Sequence, residues 1–259
     1  MAVAPSDPTD EDLPDPLESG RMTLVEHLAE LRSRLVKSVV AVVLGGVVAF
    51  VFYPAIFDVL VDPYCAVSAD GECRLLQTDP LEGFAVRMKI AGYGGLALAM
   101  PVILWQLWRF VTPGLYPKEK RYAIPFVASA VALFALGAGL AYWTLPKALG
   151  FLASIGGEEL EQFYTPGKYL SLITYMMLAF GIGFEFPILL IFLQMAGIIE
   201  SRTLRSWRRY AIVGIVVLVA VITPSGDPYS LAILSVPMYL FYEGSILVGW
   251  LIARRRPDG

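Results

Sequence analysis

Charge is scarce in this sequence: 17% of its 259 residues are Asp, Glu, Lys or Arg, against about 25% in ordinary soluble domains. Hydrophobic residues make up 57%, so lipid is the solvent the chain is built for and a soluble enzyme is excluded. Histidine is nearly absent. The single copy, His27, and the two cysteines, Cys65 and Cys73, are too few and too loosely spaced for a metal centre. None of the three lies within an apolar run, which leaves an intramembrane hydrolase without its nucleophile and base. Lys and Arg are missing from residues 1–20, which hold Asp7, Asp10, Glu11, Asp12, Asp15, Glu18 and four prolines. A secretory leader opens with positive charge and a short apolar core, unlike this start. Such a stretch buries too little apolar surface to offset chain entropy, so residues 1–21 are expected to form a disordered acidic tail.

Long uncharged runs are what the sequence has in quantity. A spanning helix needs about 20 apolar residues, because the hydrocarbon layer is ~30 Å thick. Six runs qualify in whole or part, at about residues 38–57, 84–108, 122–145, 168–195, 209–223 and 230–252. The fourth is interrupted at Glu185 and the sixth at Glu243. The fifth, Tyr210–Ile222, would reach only about 20 Å as a helix. The expectation is an all-α integral membrane domain over residues 38–252, ending in a basic tail at 253–259.

Basic residues set the orientation. Fifteen of them flank the spans on the side of the chain ends (Arg21, Arg32, Arg34, Lys37, Arg109, Lys118, Lys120, Arg121, Arg202, Arg205, Arg208, Arg209 and Arg254 to Arg256), and five lie on the other side. The positive-inside rule then puts both ends in the cytoplasm of a cytoplasmic (cell) membrane protein. Cys65 and Cys73 both fall in the first outer loop. An oxidising face permits a disulfide there, and two unpaired thiols are the alternative.

Ionisable residues at membrane depth are costly, so they mark candidate sites. Glu185 stands in Phe184-Glu185-Phe186-Pro187, where the proline frees a carbonyl and bends the helix. It reads either as a protonated packing residue or as a functional carboxylate in a cavity. Pro237 and Glu243 extend the polar recess expected beside the short hairpin of spans five and six. Ahead of span one, residues 22–37 read as an amphipathic cytoplasmic helix. Thr23 and Glu26 form a capping box, Leu24, Leu28, Leu31 and Leu35 a stripe, and Glu30 and Arg34 an i,i+4 pair. His27 reads as a residue of the polar face. In the first inner loop Glu119 is the lone acid among Lys118, Lys120 and Arg121. It is either locally ion-paired or an acceptor for a partner's guanidinium.

Several segments together resemble one family. They are His27-Leu28-Ala29-Glu30-Leu31-Arg32-Ser33-Arg34-Leu35, Met100-Pro101-Val102-Ile103-Leu104-Trp105-Gln106-Leu107-Trp108-Arg109-Phe110 and Gly114-Leu115-Tyr116-Pro117-Lys118-Glu119-Lys120-Arg121. Further along come Phe180-Gly181-Ile182-Gly183-Phe184-Glu185-Phe186-Pro187, Thr223-Pro224 and Pro237-Met238-Tyr239. In this order, over residues 22 to about 250, the chain resembles TatC, the signal-peptide receptor subunit of the twin-arginine protein translocase.

The resemblance implies a glove-shaped six-helix fold with short helices five and six. It implies that Glu30 and Glu119 receive the paired arginines of a signal peptide, with Arg32 and Phe110 shaping the same patch. Pro63 matches a proline of the first outer loop, Glu185 the acid of the concave face, and Asp227 the acid of the last outer turn. An extra residue before Asp227, and Leu231 where a polar residue is frequent, depart from the family pattern. Implied partners are TatA-like and TatB-like single-span subunits, folded precursors with twin-arginine signals, lipid and further copies of the chain. No cofactor, metal or nucleic acid is expected. The competing reading is a proton-coupled secondary transporter of a small solute, with Glu185 as its protonation site; the absence of a visible internal repeat counts against it.

Overall fold

The structure, a computed structural model, describes residues 24–66, 75–111, 123–156, 164–195, 197–223 and 227–254. All regular structure among them is helical. Backbone polar groups in lipid have no water to bond, so an apolar run satisfies them within its own helix.

Helix α1 spans Leu24–Val51, 28 residues or about 42 Å. The amphipathic segment and the first membrane span therefore form one uninterrupted rod. It stops short of the expected Phe57. Pro54 lacks an N–H and its ring would press on the carbonyl four residues earlier, so the helix ends and α2 (Tyr53–Cys65) restarts with proline in its first turn. Helix α3 covers Glu82–Val111 and α4 covers Ala123–Gly156. The fourth span is broken into α5 (Pro166–Gly183) and α6 (Phe186–Met195). Short α7 (Ser201–Ser206) leads into α8 (Arg208–Ile222) and α9 (Pro228–Arg254).

Five stretches are long and apolar enough to cross a membrane: Val25–Val51, Glu82–Phe110, Ile124–Ile155, Pro166–Met195 and Pro228–Leu251. The sixth crossing is α8, whose 15 residues reach about 22 Å. It is short, as expected. Helix α9 is not: its 27 residues extend about 40 Å. Pro237 is accommodated inside it, so the expected pair of short helices is short in one member only.

The crossings alternate in direction, which places the start of α1 and the end of α9 on one face, called here the terminal face. His27 of α1 stacks on Phe110 of α3 there, and Trp108 packs on Phe126 with ring centroids 4.3 Å apart. At the far face, α2 packs on α3, α4 and α5. The Tyr142 hydroxyl donates to the Val59 carbonyl (2.9 Å) and the Tyr169 hydroxyl to that of Leu60 (2.8 Å). Glu82, at the head of α3, accepts the Gly167 N–H at 2.8 Å and so caps α5 from another helix. The buried core between the faces includes Ile90, Leu145, Ile173, Phe180, Phe184 and Met238.

Helix pairs meet where side chains are missing. A Cβ on Gly95 would lie 2.6 Å from the Gly46 nitrogen and 2.7 Å from the Val42 oxygen, so α1 and α3 touch backbone to backbone. One on Gly137 would lie 2.5 Å from the Phe180 oxygen. In lipid, where apolar side chains gain nothing by leaving the solvent, close approach is a main source of helix attraction.

Candidate functional site

On the terminal face, α1 presents His27, Glu30 and Arg34 along one stripe, at spacings of three and four residues. Arg34 is ion-paired with Glu30, its Nε donating at 3.0 Å to Oε1. The pair read from the spacing is present. The second carboxylate oxygen, Oε2, is buried and has no hydrogen-bond partner. Phe110 reaches this stripe from the end of α3, its ring centroid 4.6 Å from that of His27. His27 is therefore a packing partner of Phe110 as well as a polar-face residue. Arg32 is exposed, and two residues along a helix turn it to a different side from Glu30. The structure thus sets Phe110 against His27, on the stripe that carries Glu30, and leaves Arg32 apart. Glu119 lies outside the described residues.

The leucine stripe on the same helix is uncovered. Leu28, Leu31 and Leu35 are 63%, 42% and 60% exposed, so no part of the described chain shields this flank of α1. Scattered apolar residues need no explanation, but a continuous stripe beside a carboxylate marks a surface for lipid or another helix.

Glu185 occupies the break between α5 and α6. Its N–H donates to the Ile182 carbonyl (3.0 Å), and its own carbonyl accepts the Leu189 N–H (3.0 Å). Pro187 has no N–H to offer the carbonyl of Gly183, which is why the helix gives way here. The Oε1 atom of Glu185 is buried without a hydrogen-bond partner.

Glu243, expected with Pro237 to extend the recess beside spans five and six, has both carboxylate oxygens occupied. Arg208 Nη2 donates to Oε2 at 2.6 Å and the Tyr239 hydroxyl to Oε1 at 2.9 Å. The partner is 35 residues away in sequence, at the first residue of α8, and local spacing gives no hint of it. Nearby, Tyr242 donates to the Leu204 carbonyl at 2.7 Å, while Gln194 donates to that of Ser245 (3.0 Å) and accepts from Ser201 (2.7 Å). These contacts tie α6, α7, α8 and α9 together.

At the far face, Pro63 is not in a loop. It is buried in the last turns of α2, where the apolar underside of that helix claims it. Asp227 does precede α9 in the final turn. It is fully buried, and its Oδ1 accepts the Ser230 N–H at 2.6 Å, which makes it the N-cap of α9. Leu231 follows within the helix and packs against the core. Cys65 is disulfide-bonded, and the chain holds one other cysteine, Cys73, outside the described residues. Among the described residues no group of three or more His, Cys, Asp and Glu is arranged to hold a metal.

Comparison with known proteins gives one family. The model of the family described as "TatC: Sec-independent protein translocase protein (TatC)" matches residues 26–237. A protein of that name from Frankia casuarinae is 43% identical over 249 residues, covering 92% of this chain and 68% of the relative. The counterpart from Corynebacterium kroppenstedtii is 34% identical, and this chain spans 60% of its length. The Aquifex aeolicus protein is 39% identical over 240 residues, covering 92% of this chain and 98% of its own. A crystal structure of the twin-arginine translocase receptor TatC superposes with a TM-score of 0.73 at 39% identity, covering 88% of this chain and all of that one. Such proteins are components of protein transport and not enzymes. This multi-pass membrane chain belongs to the TatC family of Sec-independent protein translocase proteins.

Proposed function

We propose that this chain is the receptor and core subunit of a twin-arginine translocase in the cytoplasmic membrane. Both ends are cytoplasmic, and the chain binds the paired-arginine signal peptides of folded precursors for export driven by the proton gradient. It works with TatA-like and TatB-like single-span subunits and with further copies of itself. The family membership carries the general reading. The arrangement at Glu30 supports the specific one.

A carboxylate with one oxygen held by Arg34 and the other buried and unpaired is an acceptor still short of a donor. Signal recognition then consists of a guanidinium completing this carboxylate while Glu119, in the adjoining inner loop, takes the second. Two carboxylates on a face rich in Lys and Arg have ammonium and guanidinium neighbours to satisfy them. A planar guanidinium that bridges both oxygens outcompetes an ammonium for the same place. Phe110, held by His27, borders the patch, and Arg32, on another side of α1, adds to the positive charge of the same face. Glu185 belongs to the concave face that meets a partner helix, and a Cys65–Cys73 disulfide would close the outer loop that follows α2 in sequence.

The test is export of a folded reporter with a twin-arginine signal, in cells whose one copy of this protein carries Glu119→Gln, Glu30→Gln or both. The double variant is expected to abolish export, with membrane level and the general secretory route unchanged. A twin-lysine signal should be exported much less well by the wild-type protein. Normal export by the double variant, or equal export of the twin-lysine signal, would refute the carboxylate mechanism.

A further inference from the structure

A cavity of about 250 Å3 opens between α2, α3, α4 and α5. Ile56 and Leu60 of α2, Ile90 and Gly94 of α3, Phe134 of α4 and Thr174 of α5 are among its lining residues. Polar groups are few in it, and the Thr174 hydroxyl is already spent on the Leu170 carbonyl of its own helix. Arg87 lies one turn outward from Ile90 on the same side of α3, nearer the far face. Its guanidinium carbon sits 4.2 Å from the Phe50 ring centroid and 5.2 Å from that of Tyr53, which is itself one turn before Ile56 on α2. The group is poorly satisfied. Nη2 makes one long bond to the Phe50 carbonyl (3.4 Å), Nε is buried without a partner, and no carboxylate among the described residues pairs with it.

From this juxtaposition we infer a phospholipid-binding site in the far-face leaflet. The phosphate sits on Arg87 and one acyl chain enters the cavity beneath it. Cation and cavity are collinear along α3, the order in which a phospholipid presents its own phosphate and chain to a helix crossing the bilayer. The two aromatic rings fix the guanidinium at the cavity mouth, so little ordering is left for the ligand to impose. A phosphate supplies the acceptors that the guanidinium lacks beyond its one long bond, and two parallel bonds to it are open to arginine but not to lysine. Basic pockets between membrane helices bind lipid headgroups by the same logic.

The experiment uses the full chain in nanodiscs, with phosphatidylglycerol bearing a diazirine in one acyl chain as the probe. Illumination is expected to label the segments around Ile56 and around Ile90–Gly94 above other lipid-facing surfaces. Arg87→Gln should lower that labelling roughly tenfold, the loss expected for a charge-assisted pair, while Arg87→Lys keeps part of it. Ala97 of α3 also lines the cavity, and Ala97→Phe, which fills it and leaves Arg87 in place, should remove the label. It also tests the site if Arg87→Gln fails to fold. A diazirine diacylglycerol, which has the chains but no phosphate, should label weakly and ignore Arg87→Gln. Equal labelling by the two probes, or no effect of Arg87→Gln in folded protein, would overturn the proposal. So would protection by a synthetic twin-arginine signal peptide and not by excess unlabelled phosphatidylglycerol, because the cavity would then belong to the apolar segment of the signal.

Discussion

The α1–α3 seam and the α8–α9 pair are both contacts between helices in lipid, yet they are held by opposite means. At the seam, glycine lets the two backbones touch, and a Cβ on Gly95 has nowhere to go. The α8–α9 pair meets through side chains: Arg208 on Glu243, with Tyr239 on the same carboxylate. The one glycine of α8, Gly214, has open space around it. The seam rests on shape and fails when anything is added. The pair rests on a few polar groups and fails when one is taken away. Since burial of apolar surface drives neither association inside a bilayer, both devices serve where water would otherwise do the work.

Gly95→Leu attacks the seam at its tightest point and is expected to be the most damaging change, by about 3 kcal/mol or more. Thermal unfolding in detergent would show it as a much lower midpoint. A variant as stable as wild type would mean that the backbones are not in contact. Next in size is Glu243→Gln, which strands Arg208. Hydrogen exchange should quicken in α8 and leave α1 and α3 unchanged, and uniform quickening would erase the distinction between the two contacts. Gln194→Ala removes the bonds to Ser245 and Ser201 and is expected to cost about 1 kcal/mol, in line with polar contacts between membrane helices. Gly214→Ala should gain about 0.5–1 kcal/mol, because helix propensity rises and nothing is displaced. A destabilised Gly214→Ala would reveal a neighbour that α8 meets only in the assembled complex.

What was legible in the sequence follows the range of the interaction that decides it. The spans, the Glu30–Arg34 pair and the helix break beside Pro187 are local consequences of hydropathy, i,i+4 spacing and a missing N–H. The break at Phe52 had its signal too, in Pro54. Its position within an apolar run hid it, and Pro101, Pro146 and Pro237 lie inside helices that continue, so proline alone does not announce a break. Gly45-Gly46 and Gly94-Gly95 were a readable sign of close helix packing that composition alone passed over. The partner of Glu243 was not legible because Arg208 enters from another helix. Asp227 was expected as the acid of a turn, and the structure adds that it caps α9. The stacking of His27 on Phe110 became visible only with the fold, since nothing local joins residues 27 and 110.

The far-face hydrogen bonds also set a timetable. Gly95 and Gly46 can meet once α3 has entered the membrane. The bond from Tyr169 to Leu60 joins residues 109 positions apart and must wait for α5. At ordinary rates of synthesis the interval between residues 111 and 169 is roughly 3–12 s. During it α2 has no anchor on α5, and the cleft beneath α2 lacks its fourth wall. A ribosomal stall after α4 would therefore leave a nascent chain whose first helices are paired and whose α2 is held by Tyr142 of α4, but not yet by α5.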